Sequence, residues 1–284
     1  MKILILGVTG MLGNSIFRFL SSDKKFDVYA TARNNSARSY FSKDLSDKLI
    51  TNLDVEHHDS LVEVFNKIKP DIVINCIGLV KQLADAGDPL KALPINSLLP
   101  HRLAGLCRLA GSRLIHISTD CVFSGKKGSY QESDLPDCYD LYGRSKLLGE
   151  VDYPHTITLR TSIIGHELAG NRSLINWFLS AEGSVKGFEK VIYSGFPTVE
   201  LARIIRDFVL PNKELYGLYH VASKPINKLE LLKLVAEIYN KEIDIIPSGE
   251  LVIDRSLDAT CFNEVTGYTP PDWCELVKNM YKFG

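Results

Sequence analysis

Short apolar runs that alternate with helix-length segments are the feature that most constrains the fold of this chain. The runs are rich in isoleucine, valine and leucine and have no polar face, as is typical of strands buried on both sides of a parallel sheet. Parallel strands joined by right-handed helical crossovers form a doubly wound α/β sheet, which is the predicted fold. The predicted strands are residues 3–6, 26–31, 49–54, 72–76, 114–117 and 155–160. The predicted helices between them are residues 11–20, 58–69, 90–110 and 139–151.

The regular alternation ends near residue 165, and amphipathic helices with short strands follow. We therefore expect a main domain over residues 1–165, with late elements of the same sheet from about 191–222. Residues 166–190 and 223–284 are expected to form a smaller C-terminal lobe. Ligands of open α/β sheets bind outside the carboxyl ends of the strands, so the site is predicted at that edge.

Composition narrows the partners that a chain of this kind can have. The 284 residues are 45% hydrophobic and 24% charged, and the net charge is −1, so no electrostatic argument favours nucleic acid or a membrane. The N-terminal apolar run is too short for a signal sequence, and no stretch approaches the roughly 20 apolar residues of a membrane span. Six cysteines without CxxC or zinc spacing predict a reduced, cytoplasmic protein with no metal site.

A glycine-rich turn, "GVTGMLG", joins the first predicted strand to the first helix. Gly7 would permit the tight turn, Gly10 would let the backbone approach a pyrophosphate, and Gly13 would let helix and strand pack closely. Three glycines near a helix start can also be purely structural, but their place at the first strand-to-helix turn favours a dinucleotide. The residues of this turn predicted to bind the cofactor are Gly7, Thr9, Gly10, Met11, Leu12 and Gly13.

The end of the second strand, "VYATARNN", predicts which dinucleotide binds. It lacks the acidic residue that would meet a free ribose 2′-hydroxyl, and Arg33 lies near that point with Arg38 five residues later. A guanidinium suits a 2′-phosphate, so NADP(H) is favoured over NAD(H), unless Arg33 is only a solvated loop charge. Further cofactor contacts are predicted at the ends of the later strands, at Asp54, Val55, Cys76, Ile77, Gly78 and Ser118.

A threonine, a tyrosine and a lysine carry the predicted chemistry. Tyr142 and Lys146 are four residues apart on a predicted helix and therefore share one face. A tyrosine is a poor acid or base at neutral pH until a nearby cation stabilises its phenolate, and Lys146 would supply that charge and also hold the cofactor ribose. Thr119 ends the fifth strand, where its hydroxyl can meet the substrate oxygen.

The sequence resembles the extended short-chain dehydrogenase/reductases, a Rossmann family, and within it the dTDP-4-dehydrorhamnose reductase-like branch. The resemblance rests on "STDCVFSGKKGSYQESDLPDCYDLYGRSKLLGE", "LRTSIIG", "FPTVELA", "GLYHVAS" and "RSLDAT", and it covers nearly the whole chain. It implies hydride transfer from NADPH to the C4 ketone of a nucleotide-linked 4-keto-6-deoxy sugar held between the main domain and the lobe, and it leaves a homodimer open. It implies Thr119, Tyr142 and Lys146 as catalytic residues and a family asparagine at Asn96, which could otherwise be a helix cap. The expected substrate contacts are Asp120, Cys121, Trp177 and Arg255, with a core role for Trp177 as an alternative.

Departures from the family patterns separate the candidate reactions. Nucleotide-sugar dehydratases of the wider family carry Thr-Asp-Glu where this chain has Thr119, Asp120 and Cys121, so a dehydratase is disfavoured. The GDP-fucose synthases use a cysteine there with a histidine, but Leu174 occupies the histidine position. Two alternatives to the simple reductase remain, namely a C3/C5 epimerase-reductase that uses Cys121 and a non-catalytic NADP-binding regulatory subunit like those of methionine adenosyltransferase.

Overall fold

The computed structural model describes residues 1–80 and 87–284, and its centre is a parallel sheet of seven strands in the order β3-β2-β1-β4-β5-β6-β11. These strands are β1 (Lys2–Leu6), β2 (Asp27–Thr31), β3 (Leu49–Ile50), β4 (Ile72–Asn75), β5 (Arg113–Thr119), β6 (Thr156–Thr161) and β11 (Gly217–His220). The order runs outward in both directions from β1, so the topological switch point lies between β1 and β4. The doubly wound parallel sheet predicted from the sequence is confirmed.

Helices cover both faces of this sheet. The α-helices are α1 (Met11–Ser21), α2 (Lys43–Ser46), α3 (His58–Ile68), α4 (Pro89–Ala92), α5 (Leu99–Ala110), α6 (Leu141–Leu148), α7 (Leu174–Ser180), α8 (Thr198–Ile204), α9 (Lys228–Tyr239), α10 (Thr260–Thr266) and α11 (Trp273–Phe283). Short 3-10 helices span Asn35–Tyr40 and Asp120–Val122, and π-helical turns span Leu93–Leu98 and Ile205–Val209.

The alternation of side chains along β1 shows why its sequence is apolar throughout. Ile3 and Ile5 are fully buried on the face covered by α1, whereas Leu4 and Leu6 are fully buried on the face covered by α3 and α5. Successive strand residues point to opposite faces, and both faces here are packed against helices. Each β-branched or leucine side chain in the run therefore contributes to one of two hydrophobic cores.

Three predicted elements differ from the observed ones for local reasons. The third strand ends at Ile50, because Asn52 adopts a left-handed conformation (φ 61°) that breaks the extended chain. The predicted helix 90–110 is divided by the π-helical turn Leu93–Leu98; Pro94, near the start of this turn, and Pro100, just after it, have no amide hydrogen to donate. Helix α6 is shorter than predicted, because the Asp140 carboxylate caps its first turn by accepting from the Gly143 amide.

The C-terminal residues form small sheets that dock against the segment after β5. One sheet has the order β12-β9-β14, another pairs β13 with β8, and a third pairs β10 with β7. Their strands are β7 (Ile163–Ile164), β8 (Ser184–Phe188), β9 (Val191–Tyr193), β10 (Phe196–Pro197), β12 (Ile226–Asn227), β13 (Asp244–Ser248) and β14 (Ile253–Asp254). The Asp254 amide donates to the Gly125 carbonyl at 2.8 Å, and the Tyr130 amide donates to the Ser256 carbonyl at 2.8 Å. The predicted division between main domain and lobe remains a prediction, since the core beneath α1 also includes Leu276 and Met280 of α11.

Candidate active site and cofactor cleft

The glycine turn after β1 has the backbone geometry that its spacing predicted. Gly7 has a φ of +88°, and an added Cβ on it would lie 2.8 Å from Ile77. An added Cβ on Gly13 would lie 2.2 Å from the Gly7 carbonyl oxygen, so helix α1 can cross the turn this closely only with glycine there. Gly10 is different. A Cβ added to it would contact only the Gly7 carbonyl oxygen, at 3.4 Å, so the protein could accommodate a side chain at this position.

A cavity of about 520 Å³ opens beside this turn at the carboxyl ends of the strands. Nine of the residues predicted to contact the cofactor line it, namely Gly7, Thr9, Gly10, Arg33, Asp54, Val55, Cys76, Ile77 and Gly78. Helix α1 begins at this cavity with no acidic residue in its first turn and no side-chain cap, so its amide hydrogens are open to an anionic group. Met11 and Leu12 form that first turn, and the Leu12 side chain points into the core, which leaves its backbone for a ligand.

The two arginines near the end of β2 have different surroundings. Arg33 is exposed and lines the cavity. Arg38 is engaged within the protein, since its guanidinium donates to the carbonyl oxygens of Ser46 and Leu49, the latter at 2.9 Å. Of this pair, Arg33 is therefore the guanidinium available to a 2′-phosphate.

The last residue of β5 lies at the centre of the predicted catalytic group. Thr119 is buried, its hydroxyl donates to Asp120 Oδ1 at 3.1 Å, and it accepts from the Cys121 amide at 3.1 Å. The Tyr142 phenol lies within hydrogen-bonding reach of the same hydroxyl. The two hydroxyls thus lie together at the end of β5, and a carbonyl oxygen could accept from both once it replaced Asp120 as the acceptor for Thr119.

Tyr142 keeps part of its surface accessible, but burial raises its pKa above the ordinary value, and the nearby Cys121 and Asp120 raise it further. The hydrogen bond with Thr119 acts in the opposite direction. The sequence predicted that Lys146 would lower this pKa; burial outweighs the lowering effects in the structure, and the contribution of Lys146 stays a prediction. The phenol therefore holds its proton at neutral pH.

Lys146 is buried one turn after Tyr142 and donates from Nζ to the Ile117 carbonyl at 2.7 Å. Burial lowers the pKa of its ammonium to about 8, while the Glu150 carboxylate raises it. A Cβ added to Gly78 would lie 3.9 Å from Lys146 Nζ, so the lysine reaches the edge of the cofactor cavity. Its contact with the cofactor ribose remains a prediction.

Asn96 is not a helix cap but lies inside the π-helical turn Leu93–Leu98. Its side chain is buried, accepts from the Leu79 amide at 2.8 Å, and donates to the Leu79 carbonyl at 3.1 Å and to Ser145 Oγ at 3.0 Å. π-Helical turns are frequent at functional sites. Here the turn directs one amide side chain to both the cofactor-side segment and helix α6.

Ser118 lies between two residues of the catalytic group, but its hydroxyl does not line the cavity. It donates to Glu150 Oε1 at 2.6 Å. The contact of Ser118 with the cofactor remains a prediction. The hydrogen bond to Glu150 does not favour it, because it already engages the Ser118 hydroxyl.

The predicted substrate residues Asp120, Cys121 and Arg255 lie together beyond Thr119. Asp120 is buried, and desolvation raises its pKa while the Arg255 guanidinium lowers it. Burial raises the pKa of the Cys121 thiol to about 12, which disfavours a thiolate. Arg255 is held to this segment by its Nε, which donates to the Phe123 carbonyl at 2.9 Å.

Sequence reasoning missed Lys228 and Tyr193, which the fold brings to the same group. Lys228 begins helix α9, and desolvation lowers its pKa while Asp120 and Cys121 raise it. Burial raises the pKa of Tyr193, which ends β9, with a further contribution from Asp120. The antiparallel pairing of β12 with β9 places Ile226, two residues before Lys228, opposite Tyr193, and no local pattern marks either functional residue.

Helix α7 carries the two remaining positions of interest. Trp177 is 41% exposed, so it is accessible to a ligand and is not the core residue of the alternative prediction. Leu174 is the first residue of the helix, after the capping residue Ser173. Within residues 1–80 and 87–284, the structure places no group of three or more His, Cys, Asp or Glu side chains for a metal ion. A search of the same residues finds no helix with the length and apolar character needed to cross a membrane.

The doubly wound sheet, the glycine turn and the Thr119, Tyr142 and Lys146 group define an extended short-chain dehydrogenase/reductase. Residues 1–282 match the family described as the RmlD substrate binding domain, and the chain belongs to that family.

Two relatives of this chain illustrate different functions within the family. The dTDP-4-dehydrorhamnose reductase of Aggregatibacter actinomycetemcomitans is 25% identical over 98% of each chain. The methionine adenosyltransferase 2 subunit beta of Danio rerio is 28% identical over 88% of this chain and 76% of its own. Among solved structures, dTDP-4-dehydrorhamnose reductase from Bacillus anthracis in complex with NADP superposes with a TM-score of 0.79 at 23% identity, over 99% of this chain and 98% of that one.

Proposed function

We propose that this protein reduces the C4 ketone of a nucleotide-linked 4-keto-6-deoxy sugar with NADPH, in the synthesis of a deoxysugar precursor. The observation that carries the proposal is that the Thr119 and Tyr142 hydroxyls lie within hydrogen-bonding reach of each other at the end of β5, with Lys146 one helical turn after Tyr142 and at the edge of the cofactor cavity. The names of the two dTDP-4-dehydrorhamnose reductases reported above support the substrate class.

The cavity fits a dinucleotide by its own geometry. The open amides at the start of α1 suit the pyrophosphate, and the absence of a side chain on Gly10 leaves space for it. Arg33 suits a 2′-phosphate, which favours NADP(H) and leaves NAD(H) as the alternative; the Bacillus anthracis structure is described with NADP. When bound, the nicotinamide supplies the hydride.

Each residue of the catalytic group has a role that follows from its surroundings. Tyr142 would protonate the new alkoxide, and its raised pKa keeps the donated proton in place until charge develops on the substrate oxygen. Lys146 would stabilise the resulting phenolate and hold the ribose, and Thr119 would orient and polarise the ketone. The product alcohol gains one hydride at carbon and one proton at oxygen, so the reaction balances.

The epimerase-reductase alternative is weakened by the surroundings of Cys121. Its thiol has a pKa of about 12, and Leu174 at the start of α7 transfers no proton. The regulatory-subunit alternative has a specific observation in its favour, since the Danio rerio relative is a subunit of methionine adenosyltransferase 2. It predicts NADPH binding with no turnover and co-purification with a larger synthetase.

We place the activity in the cytoplasm, because all six cysteines are free and such thiols persist in reducing compartments. A nucleotide sugar bound between the main domain and the lobe would contact Asp120, Cys121 and Arg255, and the exposed Trp177 of α7 is a further predicted contact. A homodimer remains a prediction.

The test is oxidation of NADPH and of NADH at 340 nm against a panel of freshly made 4-keto-6-deoxy nucleotide sugars. Tyr142→Phe should reduce kcat by at least about 100-fold, as expected for loss of a general acid, while leaving NADPH affinity nearly unchanged. Tyr139→Phe is the matched control, because Tyr139 is 72% exposed and three residues away. Turnover in Tyr142→Phe at the wild-type rate would refute the mechanism, and no turnover by the wild type with any panel member would favour the regulatory subunit.

A further inference from the structure

The last three residues of β5 each contact helix α6 or the residues that follow it. The Ile117 carbonyl accepts from Lys146, Thr119 lies within reach of Tyr142, and Ser118 between them donates to Glu150 at 2.6 Å. Tyr142, Lys146 and Glu150 follow one another at intervals of four residues. Two of these three contacts involve proposed catalytic groups, whereas the contact between Ser118 and Glu150 has no role in the mechanism so far.

Glu150 is held more firmly than a helix-end carboxylate usually is. Arg160 of β6 donates to it through two nitrogens, Nε at 2.8 Å and Nη2 at 2.7 Å, and the two side chains are only 9% and 5% exposed. Such a bidentate, buried pair has a fixed geometry. A hydroxyl bonded to this carboxylate is therefore anchored to a rigid point.

Hydrogen bonds connect this ion pair to His220 of β11 and, through it, to Tyr130. Arg160 Nη1 lies 3.2 Å from His220 Nε2, and His220 Nδ1 lies 3.0 Å from the Tyr130 carbonyl. Because a carbonyl only accepts and a guanidinium only donates, His220 is neutral with its proton on Nδ1. The charged groups near Glu150 include Lys146 and Arg160. Those near His220 include Arg160, Asp134, Asp258 and Glu132, whose carboxylate accepts from the His220 amide at 2.8 Å.

We propose that Glu150 is a positioning residue that acts through Ser118, setting where β5 presents Thr119 and the Ile117 carbonyl to Tyr142 and Lys146. This inference rests on the proposed function for its catalytic consequence. The carboxylate has a second effect, because its negative charge favours the ammonium form of Lys146 against the desolvation that burial imposes.

Two variants separate the two effects. Ser118→Ala removes the hydrogen bond and keeps the charge, so kcat should fall about tenfold, equal to about 1.4 kcal/mol, with the pH profile unmoved. Glu150→Gln keeps the shape and removes the charge, so kcat should fall and its alkaline limb should shift to lower pH, since Lys146 then loses its proton more readily. The dependence of NADPH affinity on pH, measured by NADPH fluorescence, should shift in the same direction in Glu150→Gln alone.

Glu200→Gln is the control for a buried ion pair elsewhere. Glu200 is 2% exposed and is bonded to Arg203 by two nitrogens, so its loss should lower the free energy of unfolding without changing kcat or either pH profile. If folded Ser118→Ala and Glu150→Gln also kept wild-type kcat and pH profiles, the positioning role would be overturned. If the wild type reduced no substrate, the proposed function would fail, and the pH dependence of NADPH binding would still test Glu150.

Discussion

At the scale of single residues, three glycines of one turn have three different reasons to be glycine. The fold requires glycine at position 7, because its φ is left-handed, and at position 13, because an added Cβ would lie 2.2 Å from the Gly7 oxygen. At position 10 the fold would accept a side chain, but a bound ligand would need that space. The spacing in the sequence predicted all three roles, because each is a local property of a strand-to-helix turn.

Substitution of these glycines should therefore separate folding from binding. Gly13→Ala should lower the free energy of unfolding by about 1–3 kcal/mol through overpacking against the Gly7 backbone, as urea denaturation would measure. Gly10→Ala should keep the unfolding free energy but weaken NADPH binding by about tenfold or more, equal to about 1.4 kcal/mol, in a fluorescence titration.

The control for both is Gly105→Ala, an exposed helical glycine with open space around its Cβ position, which should be neutral or slightly stabilising. Equal loss of stability in Gly10→Ala and Gly13→Ala would contradict this division of roles.

The catalytic tyrosine and lysine show the limit of residue spacing. Their separation by four residues predicts correctly that they share a helix, but it carries no information about desolvation. Burial raises the pKa of Tyr142 and lowers that of Lys146 to about 8, and neither shift can be derived from the spacing. The fold determines these shifts because it determines how much water reaches each group.

At the scale of elements, the π-helical turn around Asn96 joins two parts of the site. The sequence predicts one helix over 90–110, and most of that span is helical, but the hydrogen-bond register changes at the π-helical turn Leu93–Leu98, where Pro94 has no amide hydrogen to donate. The change turns the Asn96 amide inward, where it bonds both Leu79 and Ser145.

Asn96→Ala should leave the Leu79 amide and carbonyl without these partners in a buried setting, so the free energy of unfolding should fall by about 1–3 kcal/mol. Because Ser145 lies one residue before Lys146, kcat should fall as well. Asn96→Asp is the matched variant, which keeps an acceptor for the Leu79 amide and should lose less stability in urea denaturation. A wild-type kcat in Asn96→Ala would show that the turn supports folding alone.

At the scale of the whole molecule, two buried histidines make stability depend on pH. His116 is fully buried in β5, and its Nε2 has no partner within residues 1–80 and 87–284, while His220 accepts from Arg160. Burial lowers the pKa of both below the ordinary 6.5. At pH values between 6.5 and the lowered pKa of each histidine in the folded protein, the unfolded chain binds more protons than the folded one. The contribution of these histidines to the free energy of unfolding is therefore fully present above pH 6.5 and is lost as the pH falls below it.

The free energy of unfolding should therefore fall by as much as about 1.4 kcal/mol per histidine for each pH unit below this value. Urea denaturation between pH 5 and pH 8 measures it. His116→Gln should reduce the slope, whereas His58→Gln, at an exposed position, should leave it unchanged. A slope equal in the wild type and in His116→Gln would assign the dependence to other groups.

The sequence by itself determined the doubly wound sheet, the glycine turn and the helix that carries Tyr142 and Lys146, because strand burial, turn conformation and helical spacing are local. Tertiary structure alone decided that Arg33 faces the cavity while Arg38 is engaged with carbonyls, that Ser118 bonds Glu150, and that Lys228 lies near Cys121. These depend on which segments meet across strand pairings and on how far each charge is removed from water. Strand pairing and the removal of charges from water both depend on packing between residues that are distant along the chain, and local sequence patterns carry no information about such packing.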